Sequence, residues 1–127
     1  TGMITTPSGR QFSFPDVQRK RKGGVSYFTQ IKNYPVQSFA TADVVPLILV
    51  HIYKALDKYM SCVVNTVHDS IVIDVHPKEV DIVLGIIRET NDKMSSLINK
   101  TFNINFNLPL LLEAKIGDNW LDTKDVM

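Results

Sequence analysis

The sequence predicts an α+β fold, an antiparallel sheet with helices packed on one face. Short β-type runs separated by tight polar turns indicate hairpins, and longer segments carry apolar residues at helical spacing. A length of 127 residues with 44% hydrophobic and 21% charged residues suits one ordinary globular domain. The predicted order of elements is hairpin, helices, strand–turn–strand, helix and strand.

The N-terminal elements are a small hairpin and a basic segment. β-type runs on both sides of the Pro-Ser-Gly at residues 7–9 predict a hairpin that ends at Pro15. The basic run of residues 18–22 follows, and Gly23 and Gly24 then indicate a flexible break or a tight bend.

Two helices are predicted next. The first covers residues 25–32 and should end before Tyr34, because a residue that precedes proline disfavours the helical backbone. The second runs from residue 37 or 38 to Tyr59, where apolar residues repeat at helical spacing. Pro46 lies inside this pattern, so it either kinks the helix or marks its true start.

The central feature is a pair of β-branched runs, residues 61–67 and 71–75, which only His-Asp-Ser separates. Such a pattern predicts two strands joined by a very tight turn. A helix should open at Pro77, because proline is tolerated in the first helical turn. An Asn-rich loop and a final strand at residues 108–116 complete the fold.

Charge is distributed unevenly along the chain. Residues 1–34 hold six basic residues and one acidic residue, a net charge of +5, whereas the remainder sums to −4. A basic segment of this kind suggests an anionic partner, with nucleic acid first. The alternative from charge alone is a solvated surface loop.

The turn at residues 68–70 is the best candidate for chemistry. Apolar strands present Asp69 there, and an exposed carboxylate can bind a hard cation such as Mg²⁺. The alternative is an ordinary turn residue, since aspartate is common in tight turns. A two-metal site needs at least two facing carboxylates, and none is obvious nearby. Asp74 lies down the second strand, while Glu79 and Asp81 open a helix whose dipole favours acidic residues.

Other classes of site are disfavoured by the sequence. A His–Asp metal phosphohydrolase needs further ligating histidines, and His51 and His76 have no ligand spacing. Cys62 is the one cysteine, which excludes an internal disulfide and predicts a reducing, cytoplasmic location. The longest apolar stretch, residues 44–52, is too short to span a bilayer, so no membrane partner is expected.

Four segments resemble motifs of family A DNA polymerases, the bacterial DNA polymerase I class. Residues 67–72 read Val-His-Asp-Ser-Ile-Val, where that family typically reads Val-His-Asp-Glu-Leu/Ile. Residues 6–11 resemble its Gly-Arg-Arg hairpin, and residues 33–43 resemble its Asn-x-Pro-x-Gln-Gly-x-Ala-Ala-Asp segment. Residues 108–121 are similar to its C-terminal strand and Gly-Glu-Asn/Asp-Trp ending.

By this resemblance, the chain is the C-terminal part of a polymerase palm. Residues 1–34 would form a hairpin and a DNA-facing basic segment, and residues 35–127 the helix, strand–turn–strand motif, helix and strand. The family's first carboxylate motif and its nucleotide-gripping fingers helix lie upstream of these motifs and are not in this sequence. The chain should therefore be inactive alone. Its implied partners are the upstream polymerase region, in the same or a separate polypeptide, primer-template DNA and a deoxynucleoside triphosphate.

The resemblance also implies roles for individual residues. Asp69 would be a catalytic and metal-binding aspartate of a two-Mg²⁺ site that activates the primer 3′-hydroxyl and stabilises the leaving pyrophosphate. The other implied roles are contacts to DNA: His68 at the primer terminus, Asn33 and Gln37 at the minor groove, and Arg10, Arg19, Lys20, Arg21 and Lys22 at duplex phosphates.

The sequence departs from the family pattern at several positions. Ser70 stands where the family has glutamate, and Ser38 follows Gln37 where the family has glycine. These departures suggest a divergent, phage-encoded member that would work in the cytoplasm of a host cell. The alternative interpretation is a non-catalytic DNA-binding or scaffold module that retains the palm fold.

Overall fold

Two units divide the chain in the computed structural model, which describes residues 2–127. The first unit ends at Leu47, and the second runs from Ile48 to Met127. The described residues form helices and small antiparallel sheets, so the predicted α+β class is confirmed. The strands pair two by two in three small sheets, which is a finer division than the single sheet expected from the sequence.

The first unit opens with a hairpin. Strand β1 (Met3–Thr5) pairs antiparallel with β2 (Gln11–Ser13). The Thr6 N–H donates to the Arg10 carbonyl at 2.8 Å, and the Gly9 N–H donates to the Thr6 carbonyl at 2.9 Å. Gly9 has a φ of 88°, a backbone conformation that glycine adopts without steric cost. The predicted N-terminal hairpin is thereby confirmed.

A second, narrower hairpin follows, and we call residues 18–26 the basic finger. Arg19 pairs with Val25 in an antiparallel bridge, and backbone hydrogen bonds of 2.9–3.0 Å close the hairpin on both sides of that pair. The Gly23 N–H donates to the Lys20 carbonyl, so Arg21 and Lys22 form the centre of the turn. Gly23 and Gly24, with φ values of 87° and 83°, return the chain to pair with Lys20. Of the two predicted outcomes for this glycine pair, the tight bend is the one that the structure shows.

One helical run covers residues 28–56. It comprises α1 (Phe28–Ser38), a π-helical segment (Phe39–Val44) and α2 (Val45–Leu56). Pro46 is the second residue of α2 and directly follows the π segment, so it lies inside the helical run, and the predicted true helix start at Pro46 is wrong. The π segment widens the turn directly before Pro46, where a regular helix would press the proline ring against a carbonyl four residues earlier.

The predicted helix end before Tyr34 is wrong. Pro35 lies inside α1, and the Phe39 N–H still donates to the carbonyls of Pro35 and Val36. Proline removes one backbone donor and crowds one carbonyl, but the hydrogen bonds beyond it remain intact. Each further helical residue adds a hydrogen bond of its own. The helix therefore continues through Tyr34, although a residue before proline disfavours the helical backbone.

The helical run Phe28–Leu56 also bears on the membrane expectation. It is the one helix among the described residues that is long and apolar enough to cross a bilayer by length and composition. The sequence estimate considered only residues 44–52 and therefore missed it. Core helices of soluble proteins and signal sequences pass the same test, so this property is weak evidence for a membrane span.

The second unit contains the central hairpin. Strand β3 (Cys62–Val67) pairs antiparallel with β4 (Ser70–Asp74), with a bulge at Val64. The predicted strand–turn–strand motif is confirmed. Ser70 pairs with Val67 and belongs to β4, so the turn is shorter than predicted and consists of two residues only.

The long helix α3 (Val80–Phe102) follows a 3₁₀ turn at Pro77–Glu79. The turn begins where the Lys78 N–H donates to the ring nitrogen Nδ1 of His76 at 3.3 Å, and α3 ends at Asn103, which has a left-handed φ of 54°. Apolar residues of α2 and α3 form the buried core of the second unit. Its members are Ile48, Ile52, Leu56, Val83, Met94 and Ile98.

Two asparagines of α3 hold the C-terminal segment. The Asn91 amide donates to the Leu112 carbonyl at 3.0 Å and accepts from the Leu112 N–H at 2.7 Å. Asn99 bonds the backbone of Phe106 in the same two-way manner. The predicted strand at residues 108–116 is therefore mostly wrong. A side-chain amide takes the place of a strand partner at Leu112, and backbone pairing begins at Ala114 and continues in β5 (Lys115–Ile116), which pairs with β6 (Lys124–Asp125).

Candidate active site and nucleic-acid interface

Asp69 lies at the tip of the β3–β4 hairpin. The Val67–Ser70 pair closes a turn whose two residues are His68 and Asp69. His68 has a φ of 54°, whereas Asp69 does not have a positive φ. This combination is the pattern of a type II′ turn, which favours glycine at its first position. The backbone therefore holds a histidine where glycine would be less strained, and such outliers concentrate at functional sites.

We expect His68→Gly to stabilise the folded protein. A left-handed φ costs a residue with a Cβ atom roughly 1–2 kcal/mol, and glycine removes part of this cost while adding entropy to the unfolded chain, so the net gain should be about 1 kcal/mol or less. The urea unfolding midpoint measures this gain. His76→Gly is the matched control, because His76 has a φ of −62° and accepts a capping hydrogen bond, so its loss should destabilise. A lower midpoint for His68→Gly would contradict the strain argument.

The Asp69 carboxylate is available for a ligand. Asp69 is exposed, and it makes no hydrogen bond or ion pair within the described part of the chain. Asp74 pairs with Cys62 at the opposite end of the hairpin. An extended strand rises by about 3.4 Å per residue, so Asp74 lies about 17 Å from Asp69. Residues 2–127 contain no group of three or more His, Cys, Asp or Glu side chains that could hold a metal ion. Asp69 can supply one anionic oxygen ligand, but these residues do not complete a metal site.

A hydrogen-bonded group anchors the base of the same hairpin. Ser61, which is 2% exposed, donates from Oγ to the Glu79 carboxylate at 2.6 Å and accepts from the His76 N–H at 3.0 Å. Glu79 also accepts the N–H groups of Met60 and Ser61 at 3.1 and 2.8 Å. These bonds, from the Ser61 hydroxyl first and the Met60 N–H second, lower the pKa of Glu79 below its usual value. The chain that enters β3 and the chain that leaves β4 are thus tied to one carboxylate.

Protonation of Glu79 should loosen this anchor. Because its pKa is lower in the folded protein than in the unfolded chain, its contribution to stability is present above the usual pKa of 4.5 and is lost as the pH falls through the lowered value. We expect the urea midpoint of Glu79→Gln to fall less between neutral and acidic pH than that of the unaltered chain. Glu113→Gln, an exposed glutamate without a hydrogen bond or ion pair among residues 2–127, is the control. Equal acid sensitivity of the unaltered chain and Glu79→Gln would contradict this role.

Asn33 and Gln37 lie on one face of α1. They are four residues apart, which places them on neighbouring turns, and both are exposed. The backbone carbonyl of Gln37 accepts a hydrogen bond from Thr41 Oγ1 at 2.7 Å. The side-chain amide of Gln37 has no hydrogen-bond partner among the described residues. The structure therefore brings together two of the residues predicted to contact DNA and leaves their amides exposed.

Arg10 has a partner that the sequence did not predict. Its Nη2 donates to Asp43 Oδ1 at 2.8 Å, and the Ser8 hydroxyl donates to Asp43 Oδ2 at 2.6 Å. Partial burial raises the pKa of Asp43, but the hydrogen bonds from Arg10 and Ser8 outweigh it, so the pKa lies below its usual value. The pair ties the N-terminal hairpin to the π segment. Arg10 remains about half exposed at 48%, and its other N–H groups can still meet a phosphate.

The basic finger carries the other predicted phosphate contacts. Arg19, Lys20, Arg21 and Lys22 are all exposed, and none forms an ion pair with a described residue. Their charges are therefore available to an anionic partner. Asp69 and His68 belong to the second unit, whereas the finger, Asn33 and Gln37 belong to the first.

Sequence reasoning missed the residues that support these sites. Glu79 was interpreted as a helix-dipole residue, and its bonds to Ser61 have no sequence signal because the partners lie 18 positions apart. Asn91 and Asn99 carried no signal either. The basic finger did carry a sequence signal, because two glycines after a polar run are typical of a hairpin turn.

Comparison with known proteins agrees with the motifs. The sequence pattern of DNA polymerase family A matches residues 1–122, nearly the whole chain. The chain therefore belongs to DNA polymerase family A.

Similar known proteins are bacterial DNA polymerases. The chain is 28% identical over 126 residues to DNA polymerase I of Caldicellulosiruptor bescii, with 97% of the chain and 14% of that protein covered. It is 26% identical to the thermostable DNA polymerase I of Thermus aquaticus, with 98% and 14% covered. For DNA polymerase I of Synechocystis the identity is 26%, with 72% and 8% covered. The chain thus spans a small fraction of these relatives' length. No solved structure matches the chain significantly.

Proposed function

We propose that this chain is the C-terminal palm portion of a template-directed DNA polymerase that performs two-metal nucleotidyl transfer. It supplies one catalytic aspartate, Asp69, and contacts to the primer-template, while the second aspartate comes from outside this sequence. The observation that carries the proposal is an unpaired, exposed carboxylate at the tip of a two-residue turn, within a segment that matches a polymerase family. Membership of that family implies that the complete enzyme uses a divalent metal ion.

Asp69 fits the role of a Mg²⁺ ligand, because Mg²⁺ takes carboxylate oxygens and usually retains several waters and substrate oxygens. When bound, the metal pair would supply charge stabilisation and activation of the primer 3′-hydroxyl. The contribution of this chain is to hold the carboxylate in place. The hairpin carries it, and the Ser61–Glu79 anchor fixes the hairpin's base. His68, next to Asp69, would lie at the primer terminus.

The first unit would contact DNA. Asn33 and Gln37 present amides that can meet minor-groove acceptors, which correct base pairs share, so the contact would test pair shape and not sequence. Arg10 and the basic finger would meet the phosphates of the duplex. Primer-template DNA, a deoxynucleoside triphosphate and the upstream polymerase region are thus the partners that we propose.

Neutralising the finger should weaken duplex binding and reduce its salt dependence. If Arg19, Lys20, Arg21 and Lys22 each meet a phosphate, changing all four to glutamine should reduce the slope of log affinity against log salt by up to about 3–4. Fluorescence anisotropy of a labelled duplex between about 50 and 200 mM salt measures this slope. The control changes exposed lysines of the second unit, Lys54, Lys58 and Lys100. An unchanged slope for the finger variant would make the run an ordinary surface.

The test of the whole proposal is complementation. The chain is mixed with the upstream portion of a family A polymerase, and primer extension is assayed with Mg²⁺, with each component alone as a control. We expect extension only in the mixture and only with Asp69 intact. We also propose a divergent, phage-encoded origin and hence activity in the host cytoplasm; the departures from the family pattern at Ser38 and Ser70 are its support.

One feature favours a second candidate function. Ser70 stands where the family has glutamate, which removes one carboxylate beside Asp69. A non-catalytic DNA-binding or scaffold module with the palm fold would tolerate this loss. Duplex binding without extension in the complemented mixture would support that module.

A further inference from the structure

The basic finger is an ordered hairpin whose charges are not used within the chain. Its backbone is fixed by the Arg19–Val25 bridge and by hydrogen bonds on both sides of it. Its tip carries Lys20, Arg21 and Lys22 in sequence, all exposed. A rigid cationic hairpin of this kind attracts the phosphates of any nucleic acid, single- or double-stranded.

Two exposed aromatic residues stand at the foot of this finger. Tyr27 and Phe28 directly follow its last residue, and they are 53% and 56% exposed. Tyr27 has a left-handed φ of 56°, which is an uncommon conformation for a bulky residue. The Lys32 ammonium lies 4.9 Å from the centre of the Phe28 ring, so positive charge accompanies the exposed aromatic surface. Neither aromatic residue belongs to the buried core, and their exposure costs free energy that a base could recover.

A cavity lies beside the same foot. It has a volume of about 430 Å³, which is within the range of small-molecule sites. It is open to solvent on one side, and polar atoms make up more of its exposed lining than apolar atoms. The lining residues are Gly2, Phe14, Pro15, Val17, Arg19 and Val25. An open space with both polar and apolar walls, lined in part by Arg19 of the finger, can admit one base with its phosphate.

We propose that residues 14–28 bind single-stranded DNA, with the finger on its phosphates and unpaired bases on Tyr27, on Phe28 and in the cavity. The combination of a basic track with exposed aromatic side chains is how proteins bind single strands without sequence preference. In a duplex the bases stack on one another, so only the phosphates remain for this surface. The binding of single-stranded DNA does not depend on the proposed polymerase function. Its role does rest on that function, and this role would be to hold unpaired template near the primer-template.

Binding to two DNA probes tests the proposal on the whole chain. The probes are a labelled oligodeoxythymidine of about 12 nucleotides and a duplex of the same length, measured by fluorescence anisotropy at one salt concentration. The key variant combines Tyr27→Asn with Phe28→Leu. Asparagine tolerates the left-handed backbone and leucine retains apolar bulk, so the variant removes the rings with little effect on folding. Phe28→Leu alone is the second variant, and Tyr53→Ala is the control, since Tyr53 is 61% exposed and lies in the second unit.

We expect the double variant to lose about tenfold or more in affinity for the single strand, which is the loss expected when aromatic rings that stack on bases are removed. Its affinity for the duplex should fall by about twofold or less. Phe28→Leu alone should show a smaller loss in the same direction, and Tyr53→Ala should change neither affinity. An unchanged affinity for the single strand, or equal losses on both probes, would overturn the proposal. The assay needs no Mg²⁺, nucleotide or upstream region. A failure of complementation would therefore not contradict this selectivity, and a loss of selectivity would not by itself contradict the proposed polymerase function.

Discussion

Replacing Asp69 by alanine in the complemented polymerase should abolish primer extension. A metal ligand at the reacting phosphate contributes several kcal/mol of transition-state stabilisation, so the rate should fall by about 1,000-fold or more. Asp69→Asn should fall almost as far, because the amide keeps the shape of the side chain but not its charge. Single-turnover extension of a labelled primer with Mg²⁺ measures the rate.

The control for this experiment lies in the same hairpin. Asp74 is also exposed, but it pairs with Cys62 at the base, far from the turn. Asp74→Ala should therefore retain extension within a few-fold of the unaltered chain. DNA binding by Asp69→Ala should also be retained, because its basic surfaces are unchanged. Extension that survives Asp69→Ala would overturn the site assignment and favour a different source of the metal ligand.

Replacing Ile98 by alanine should strongly destabilise the second unit. Ile98 is 0% exposed on α3, and removing a buried branched side chain costs both its transfer free energy and the cavity that remains. The free energy of unfolding should fall by about 2–5 kcal/mol. Urea denaturation followed by far-UV circular dichroism measures this change, and the slope with urea should stay constant if only the stability has changed.

Ile82→Ala on the same helix is the matched control. Ile82 is 38% exposed, so the same substitution removes fewer buried contacts and should cost about 1 kcal/mol or less. A similar loss at both positions would contradict burial as the cause, because alanine has a higher helix propensity than isoleucine and helix propensity alone would favour both variants. Because Asn99 next to Ile98 bonds the backbone of Phe106, the Ile98 variant should also release the C-terminal segment to proteolysis.

Local patterns determined much of the candidate site. The alternation of β-branched residues and a tight polar turn predicted β3, β4 and the exposed position of Asp69, because strand pairing over a two-residue turn depends on neighbouring residues only. Helical spacing of apolar residues likewise predicted α2 and α3. The excess of positive charge in residues 1–34 directed attention to the finger.

Local rules failed where an element depended on its surroundings. The residue before Pro35 disfavours a helix in isolation, but the helix continues through it because the hydrogen bonds beyond it remain. The apolar run at residues 108–116 looked like a strand, yet most of it is held by asparagine side chains. Side-chain amides can replace a strand partner only when a helix brings them alongside the segment.

The sequence alone thus determined the family, the α+β class, the hairpin that carries Asp69 and the placement of positive charge. Each of these depends on residue type, short-range spacing or motif order. The tertiary structure alone decided the Ser61–Glu79 anchor and the Arg10–Asp43 pair, whose partners lie 18 and 33 positions apart. The physical reason is that hydrogen bonds and ion pairs act over a few ångströms in space, and periodicity along the chain does not specify which distant residues the fold brings that close.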